Sequence, residues 1–261
     1  MLINRAAWIL AGLLISPSAM GEFKPDIAAL VKDLETMTKS EDHMTIVFWL
    51  PTEFWRASLE SGGKVTAKEI DKFVKELDQY VVLAVADGQV GIAGSVNFAE
   101  PELLKGAVTI ENARGALLSA LPDDAISGGV KNMAEMLRPV WANMLGKLGL
   151  HLAVIIFPGT ETSGSRTVEP TKEGIFVVHV GPVTVRYRLP LGSLLPPVID
   201  EKTGESFPGN YHFNPFTGHK LSPAPARPEQ PAASPAAPAA PPAPSGTAQP
   251  SAPQQHSTNQ G

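Results

Sequence analysis

Ser61 and Lys64 have the spacing for covalent chemistry. A hydroxyl and an amine three residues apart share one face of a helix, where the amine can take the hydroxyl proton and free the oxygen to attack a carbonyl. Two further short runs with hydroxyl, amide or amine groups follow along the chain, Ser95-Val96-Asn97 and Lys202-Thr203-Gly204. A second set is built from turn formers. Asp200, Thr203 and Gly204 recur in type and spacing as Asn214, Thr217 and Gly218, which marks two loops of equal layout. Asp, Asn and Thr side chains accept hydrogen bonds from backbone amides two residues on, as Asx and Ser/Thr turns do. The third set is aromatic: Phe48, Trp49, Phe54 and Trp55 straddle Pro51. Large aromatics either anchor a partner or fill a core, so Trp49, Phe54 and Trp55 are the candidate binding residues.

In their order along the chain, Ser61-Gly62-Gly63-Lys64, Ser95-Val96-Asn97 and Lys202-Thr203-Gly204 are similar to the three short motifs of serine β-lactamases and penicillin-binding proteins. That resemblance implies Ser61 as nucleophile, Lys64 sharing the proton transfer, the second motif relaying protons and the third on a strand beside the substrate. Local sequence argues the other way. Gly62 and Gly63 each disfavour helix by about 1 kcal/mol, and Thr66 with Glu69 marks a helix start just beyond Lys64.

The two turn-forming loops, Asp200-Glu201-Lys202-Thr203-Gly204 and Asn214-Pro215-Phe216-Thr217-Gly218, resemble the zinc-ribbon family, in which two Cys-Pro-x-Cys-Gly knuckles sit at the ends of a hairpin. Asp200, Thr203, Asn214 and Thr217 stand at the four cysteine positions, and the resemblance reaches no further than residues 200–221. Zinc takes thiolate, imidazole or carboxylate, and two hydroxyls with an amide are poor ligands. The expectation is therefore a knuckle geometry kept by hydrogen bonds, with no metal; an ordinary hairpin is the alternative. His212 and His219 flank the element without a third ligand at telling spacing. No glycine-rich phosphate loop, Gly-x-Ser-x-Gly elbow or His-Glu-x-x-His helix is present, so no cofactor is expected.

Helical spacing is read at Ile27, Leu30, Val31, Leu34 and Met37, at Ile70, Phe73, Val74 and Leu77 behind the Thr66–Glu69 capping box, and from Val130 to Leu148, where Pro139 implies a kink or a break into two helices near Arg138. The Met, Trp and Leu stripe of this last segment is read as a sheet-facing surface. Strands are expected at 45–50, 80–86, 90–98, 107–110, 150–157, 174–180 and 183–189, with tight turns at Asp87-Gly88 and Gly181-Pro182. Hairpin-linked strands pair antiparallel, so residues 22–190 read as an α+β domain: a mainly antiparallel sheet with amphipathic helices on one face. Residues 191–221 follow as linker and ribbon-like hairpin.

Arg5, an apolar run from Ala6 to Ile15 and the small-x-small triplet Ala19-Met20-Gly21 read as a signal peptide over 1–21, too short to span a bilayer. The chain is thus expected to be exported, periplasmic or extracellular, with no stable membrane anchor after cleavage. The remaining 20 basic and 26 acidic side chains leave a formal charge of −6, with no long-range attraction for phosphate backbones, which disfavours nucleic acid and anionic membrane surfaces as partners. With no cysteine, the fold must hold by burial alone. Residues 222–261 carry 11 Pro and 11 Ala and no branched aliphatic or aromatic side chain, so they read as a disordered, semi-stiff tail that reaches an envelope protein or cell-wall component. The functional expectation is a non-enzymatic binding or structural module of a bacterial envelope. A secreted serine hydrolase using Ser61 and Lys64, and a carrier of a small apolar ligand beneath the Met-rich helix, are the alternatives.

Overall fold

Thr66 and Glu69 do what their spacing predicts. Each side chain reaches the other's backbone amide, with Glu69 accepting the Thr66 N–H at 2.9 Å, and the helix runs from there. The computed structural model describes residues 23–224 apart from Ala113. The expected signal peptide, and the expected tail beyond residue 224, lie outside the described residues.

Helix α1 (Ile27–Leu34) is capped by the Asp26 carboxylate, which accepts the Ala29 N–H at 2.8 Å. It passes directly into β1 (Glu35–Lys39), and a turn at Ser40–Asp42 returns the chain as β2 (His43–Trp49). Helices α2 (Thr52–Gly62) and α3 (Ala67–Leu77) lead to the long strand β3 (Tyr80–Val90) and to β4 (Val96–Phe98). Helix α4 (Pro101–Ala107) precedes the hairpin β5 (Val108–Glu111) and β6 (Leu117–Ser119). Helices α5 (Gly128–Leu145) and α6 (Lys147–Leu150) precede β7 (Ala153–Pro158), β8 (Gly174–Val180) and β9 (Val183–Leu189). Three short strands close the described chain: β10 (Val198–Ile199), β11 (Ser206–Phe207) and β12 (Ser222–Pro223).

The chain is α+β, and every ladder is antiparallel. One sheet has the order β1-β2-β3, with β4 and β7 both pairing to β3; a second has the order β6-β5-β8-β9; the small third is β11-β10-β12. Helices α3 and α5 cover one face of the first sheet through Leu77, Val130 and Met133, which pack with Val82, Ala84 and Ile156. The opposite face meets the second sheet, so the domain has two sheets where the sequence suggested one. Between them lies the larger core, in which Trp49 contacts Phe176 (ring centroids 4.8 Å) and Tyr187 (5.7 Å). Strand β9 alternates: Val185 and Tyr187 point inward while Thr184, Arg186 and Arg188 face solvent.

Several expectations are corrected. Asp87-Gly88 is not a turn but part of β3, because β4 lies so close that a Cβ at Gly88 would meet the Asn97 carbonyl at 2.9 Å; the chain reverses instead at Gly91–Ser95. Met37 leaves the first helix for β1, where its neighbours pair with β2. Pro139 does not break α5; the break comes at Gly146, whose φ of 58° no β-carbon favours. Leu150 ends a helix and the strand starts at Ala153. Helices α2 and α4 had no sequence signal strong enough to be read. The hairpin at Gly181 stands as expected, with Val180 opposite Val183.

Candidate functional site

The two loops of the ribbon repeat each other bond for bond. In the first, the Asp200 side chain accepts the N–H of Lys202 (2.9 Å) and Thr203 (3.4 Å), its carbonyl accepts from Gly204 (2.7 Å), and its N–H donates to the Glu205 carbonyl (2.9 Å). In the second, the Asn214 side chain accepts from Phe216 (2.9 Å) and Thr217 (3.3 Å), its carbonyl accepts from Gly218 (2.8 Å), and its N–H donates to the His219 carbonyl (2.8 Å). Thr203 Oγ1 accepts the Glu205 N–H as Thr217 Oγ1 accepts the His219 N–H. Gly204 and Gly218 close the loops at φ +75° and +72°, a conformation that favours glycine.

The loops meet through one carboxylate. Asp200 Oδ2 accepts from Asn214 Nδ2 (2.7 Å), Thr217 Oγ1 (3.2 Å) and His219 Nδ1 (3.1 Å), and both Asp200 and Asn214 are fully buried. A carboxylate only accepts, so His219 carries its proton on Nδ1. Burial pushes the Asp200 pKa up, but the bonds from Asn214, the Lys202 amide, His219 and the Thr203 amide outweigh it and hold the group well below the usual carboxylate range. Zinc does not fit these residues. The chain has no thiol, no group of three acidic or imidazole side chains suited to a metal exists among the described residues, and hydrogen-bond donors already surround the Asp200 oxygen.

The ribbon is clamped to the domain. Asn210 Nδ2 donates to the Pro190 carbonyl at 2.9 Å, Asp33 of α1 accepts the Ser193 N–H at 2.9 Å, and any side chain at Gly192 would collide with Asn210. Strand β12 contributes Ser222 and Pro223, two residues the sequence assigned to the tail, by pairing them with Ile199 and Val198. Docking leaves a groove of about 620 Å³ between the ribbon and the neighbouring edges of β1 and β9. One wall carries Lys32, Arg186 and Arg188; the other carries Tyr211, His212 and Phe213. None of the three cations belongs to an ion pair among the described residues. Asp33 and Glu35 also line the groove, Asp33 with one oxygen engaged by Ser193. Tyr211 stacks on Phe207 at 6.1 Å and stays 41% exposed, while Phe213 is 59% exposed.

The serine motifs are not assembled. Ser61 is exposed near the end of α2, Gly63 caps that helix in the left-handed conformation, and Lys64 lies beyond it, also exposed. The cavity that Ser61 lines holds none of Lys64, Ser95, Asn97, Lys202 or Thr203. Helix α2 runs through Gly62, so that glycine is tolerated at its last position.

The aromatic cluster joins the core. Trp49 is 2% exposed, which removes it as a docking surface; Phe54, Trp55 and Phe73 are half-buried and pack edge to face in sequence, at 5.5 and 5.8 Å. Beneath α5 a cavity of about 260 Å³ has a mixed lining, with Leu121, Ile126, Val154, Ile155 and Ile156 on the sheet side and Lys105, Asp123, Lys131, Glu135 and Arg138 at its rim. Of the helix's stripe, Val130 and Met133 are buried, whereas Val140, Met144 and Leu145 face solvent.

Two histidine–carboxylate pairs lie on the sheets away from the groove. His43 Nε2 lies 2.8 Å from Asp87, and His179 bridges Glu111 (2.6 Å) and Thr184 (3.2 Å) across three strands. The second sits on the open outer face of its sheet beside exposed Leu117 and Ile175, which makes it a cross-strand tie.

The groove residues were missed. Arg186 and Arg188 are visible in sequence only as outward positions of an alternating strand, and Lys32 as the polar side of a helix. No helix of the described residues is long and apolar enough to cross a membrane. Comparison with protein-family models, with curated proteins and with solved structures finds no match to this chain.

Proposed function

We propose that this chain is an exported, non-enzymatic binding module of a bacterial cell envelope, and that its binding face is the groove between the ribbon and the edges of β1 and β9. The observation that carries the reading is the pairing, in one cleft, of exposed aromatic rings with three cations that belong to no ion pair among the described residues. Leaving Tyr211 and Phe213 in water forgoes burial worth about 1.5–3 kcal/mol for a large apolar side chain, and such surface concentrates where a partner covers it. The ribbon serves as the rigid second wall. Its bond-for-bond repetition supports descent from a zinc ribbon in which an Asp200-centred network replaced the metal. Export is supported by the apolar run after Arg5, and the Pro/Ala-rich segment after the ribbon acts as a spacer.

The test is sedimentation of the chain with washed envelope fragments. The native chain is expected to sediment and the Arg186→Gln/Arg188→Gln variant to stay in solution. Equal sedimentation of both, or of neither, refutes the groove as binding face.

A further inference from the structure

We infer that the groove takes an acidic glycan, a chain of sugar rings bearing spaced carboxylates; this rests on the groove being the binding face. The argument starts from its chemistry. Arg186 and Arg188 are outward neighbours on one strand, two residues and so about 7 Å apart along it, with Lys32 on the adjoining helix. Guanidinium groups bind carboxylates through two parallel hydrogen bonds, and two of them at that separation suit anionic groups that recur along a chain. The facing wall is aromatic. A pyranose ring presents a flat face of C–H groups, which packs against a ring such as Tyr211 or Phe213, while its edge hydroxyls stay available to polar neighbours such as Asn210 and His212. The volume of about 620 Å³ lies in the middle of the range for small-molecule sites, which suits a short stretch of glycan better than a protein domain.

The length of the cationic track separates this ligand from the other polyanion that prefers cations and aromatics. Single-stranded nucleic acid carries a phosphate at every nucleotide and depends on a long electropositive track. Here the cations number three, with Asp33 and Glu35 beside them, and the chain carries 26 acidic against 21 basic side chains, so the groove offers no such track. A short glycan brings only the few carboxylates that Lys32, Arg186 and Arg188 can meet.

The experiment is calorimetric titration of the purified chain with a short oligouronate, its methyl ester and a single-stranded oligonucleotide. The oligouronate is expected to bind, with affinity falling as salt rises. The methyl ester, which keeps the rings and loses the charge, is expected to bind at least about tenfold more weakly. Arg186→Gln/Arg188→Gln is expected to reduce oligouronate affinity about tenfold or more and to flatten the salt dependence. Tyr211→Ala/Phe213→Ala is expected to weaken binding to a similar degree while leaving the salt dependence in place. Equal affinity for ester and acid, tighter binding of the oligonucleotide, or no oligouronate binding overturns the inference. The last result, combined with loss of envelope sedimentation in the arginine variant, leaves the groove as binding face and removes only the acidic glycan. All four side chains are exposed or half-exposed, and an unchanged melting temperature confirms that each variant is folded.

Discussion

Replacing Asn214 by Ala tests how the ribbon is held. The side chain donates to the Asp200 carboxylate at 2.7 Å and to Glu205 at 3.3 Å, and it accepts from the amides of Phe216 and Thr217. A hydrogen bond to a charged group contributes about 1.5–3 kcal/mol and a neutral one about 1 kcal/mol, with the loop amides recovering part of theirs from water. The net loss is then about 3 kcal/mol, which lowers the melting temperature of a domain of this size by roughly 10 °C. Differential scanning calorimetry reads it, and a chelator is expected to change nothing in either protein.

Acid supplies the second reading of the same variant. The folded-state pKa of Asp200 is depressed, so its stabilisation is complete above the ordinary aspartate value of about 3.9 and is lost as pH falls from there toward the lower folded value. The gap between native chain and Asn214→Ala is expected to be constant near neutrality and to narrow below about pH 4. A melting shift under about 2 °C, one zinc per chain by elemental analysis, or destabilisation by chelator refutes the hydrogen-bonded knuckle.

Three substitutions test the fold. Gly88→Ala is expected to cost about 1–3 kcal/mol in urea denaturation, because the new methyl meets the Asn97 carbonyl and the Val96 and Phe98 side chains at about 3 Å; a residue in an exposed turn would lose little. Trp49→Ala is expected to cost about 3–5 kcal/mol by emptying the space between Phe176 and Tyr187, and Trp55→Ala less, since Trp55 keeps one side toward solvent. Equal losses at the two tryptophans would remove Trp49 from the centre of the core.

What the sequence carried by itself was local. The Thr66–Glu69 box, the β8–β9 hairpin at Gly181 and the paired Asx loops of the ribbon depend on residues within a few positions of one another, so their hydrogen bonds were legible from spacing. Asp87-Gly88 reads as a turn for the same reason, and fails because the approach of β4 to β3 sets that backbone instead. The α+β class followed from hairpin-linked strands, which pair antiparallel, beside amphipathic helices. Whether a second face of the sheet was open or covered depended on contacts between segments more than a hundred residues apart, such as Trp49 with Phe176.

The groove belongs wholly to that second kind. Lys32, Arg186 and Tyr211 are ordinary surface residues of a helix, a strand and a loop until the ribbon docks through Asn210 to Pro190 and brings them to one cleft. Short-range hydrogen bonding and hydrophobic period therefore determined the elements. Long-range packing, which no spacing encodes, decided which side chains face each other across a space that a ligand can enter.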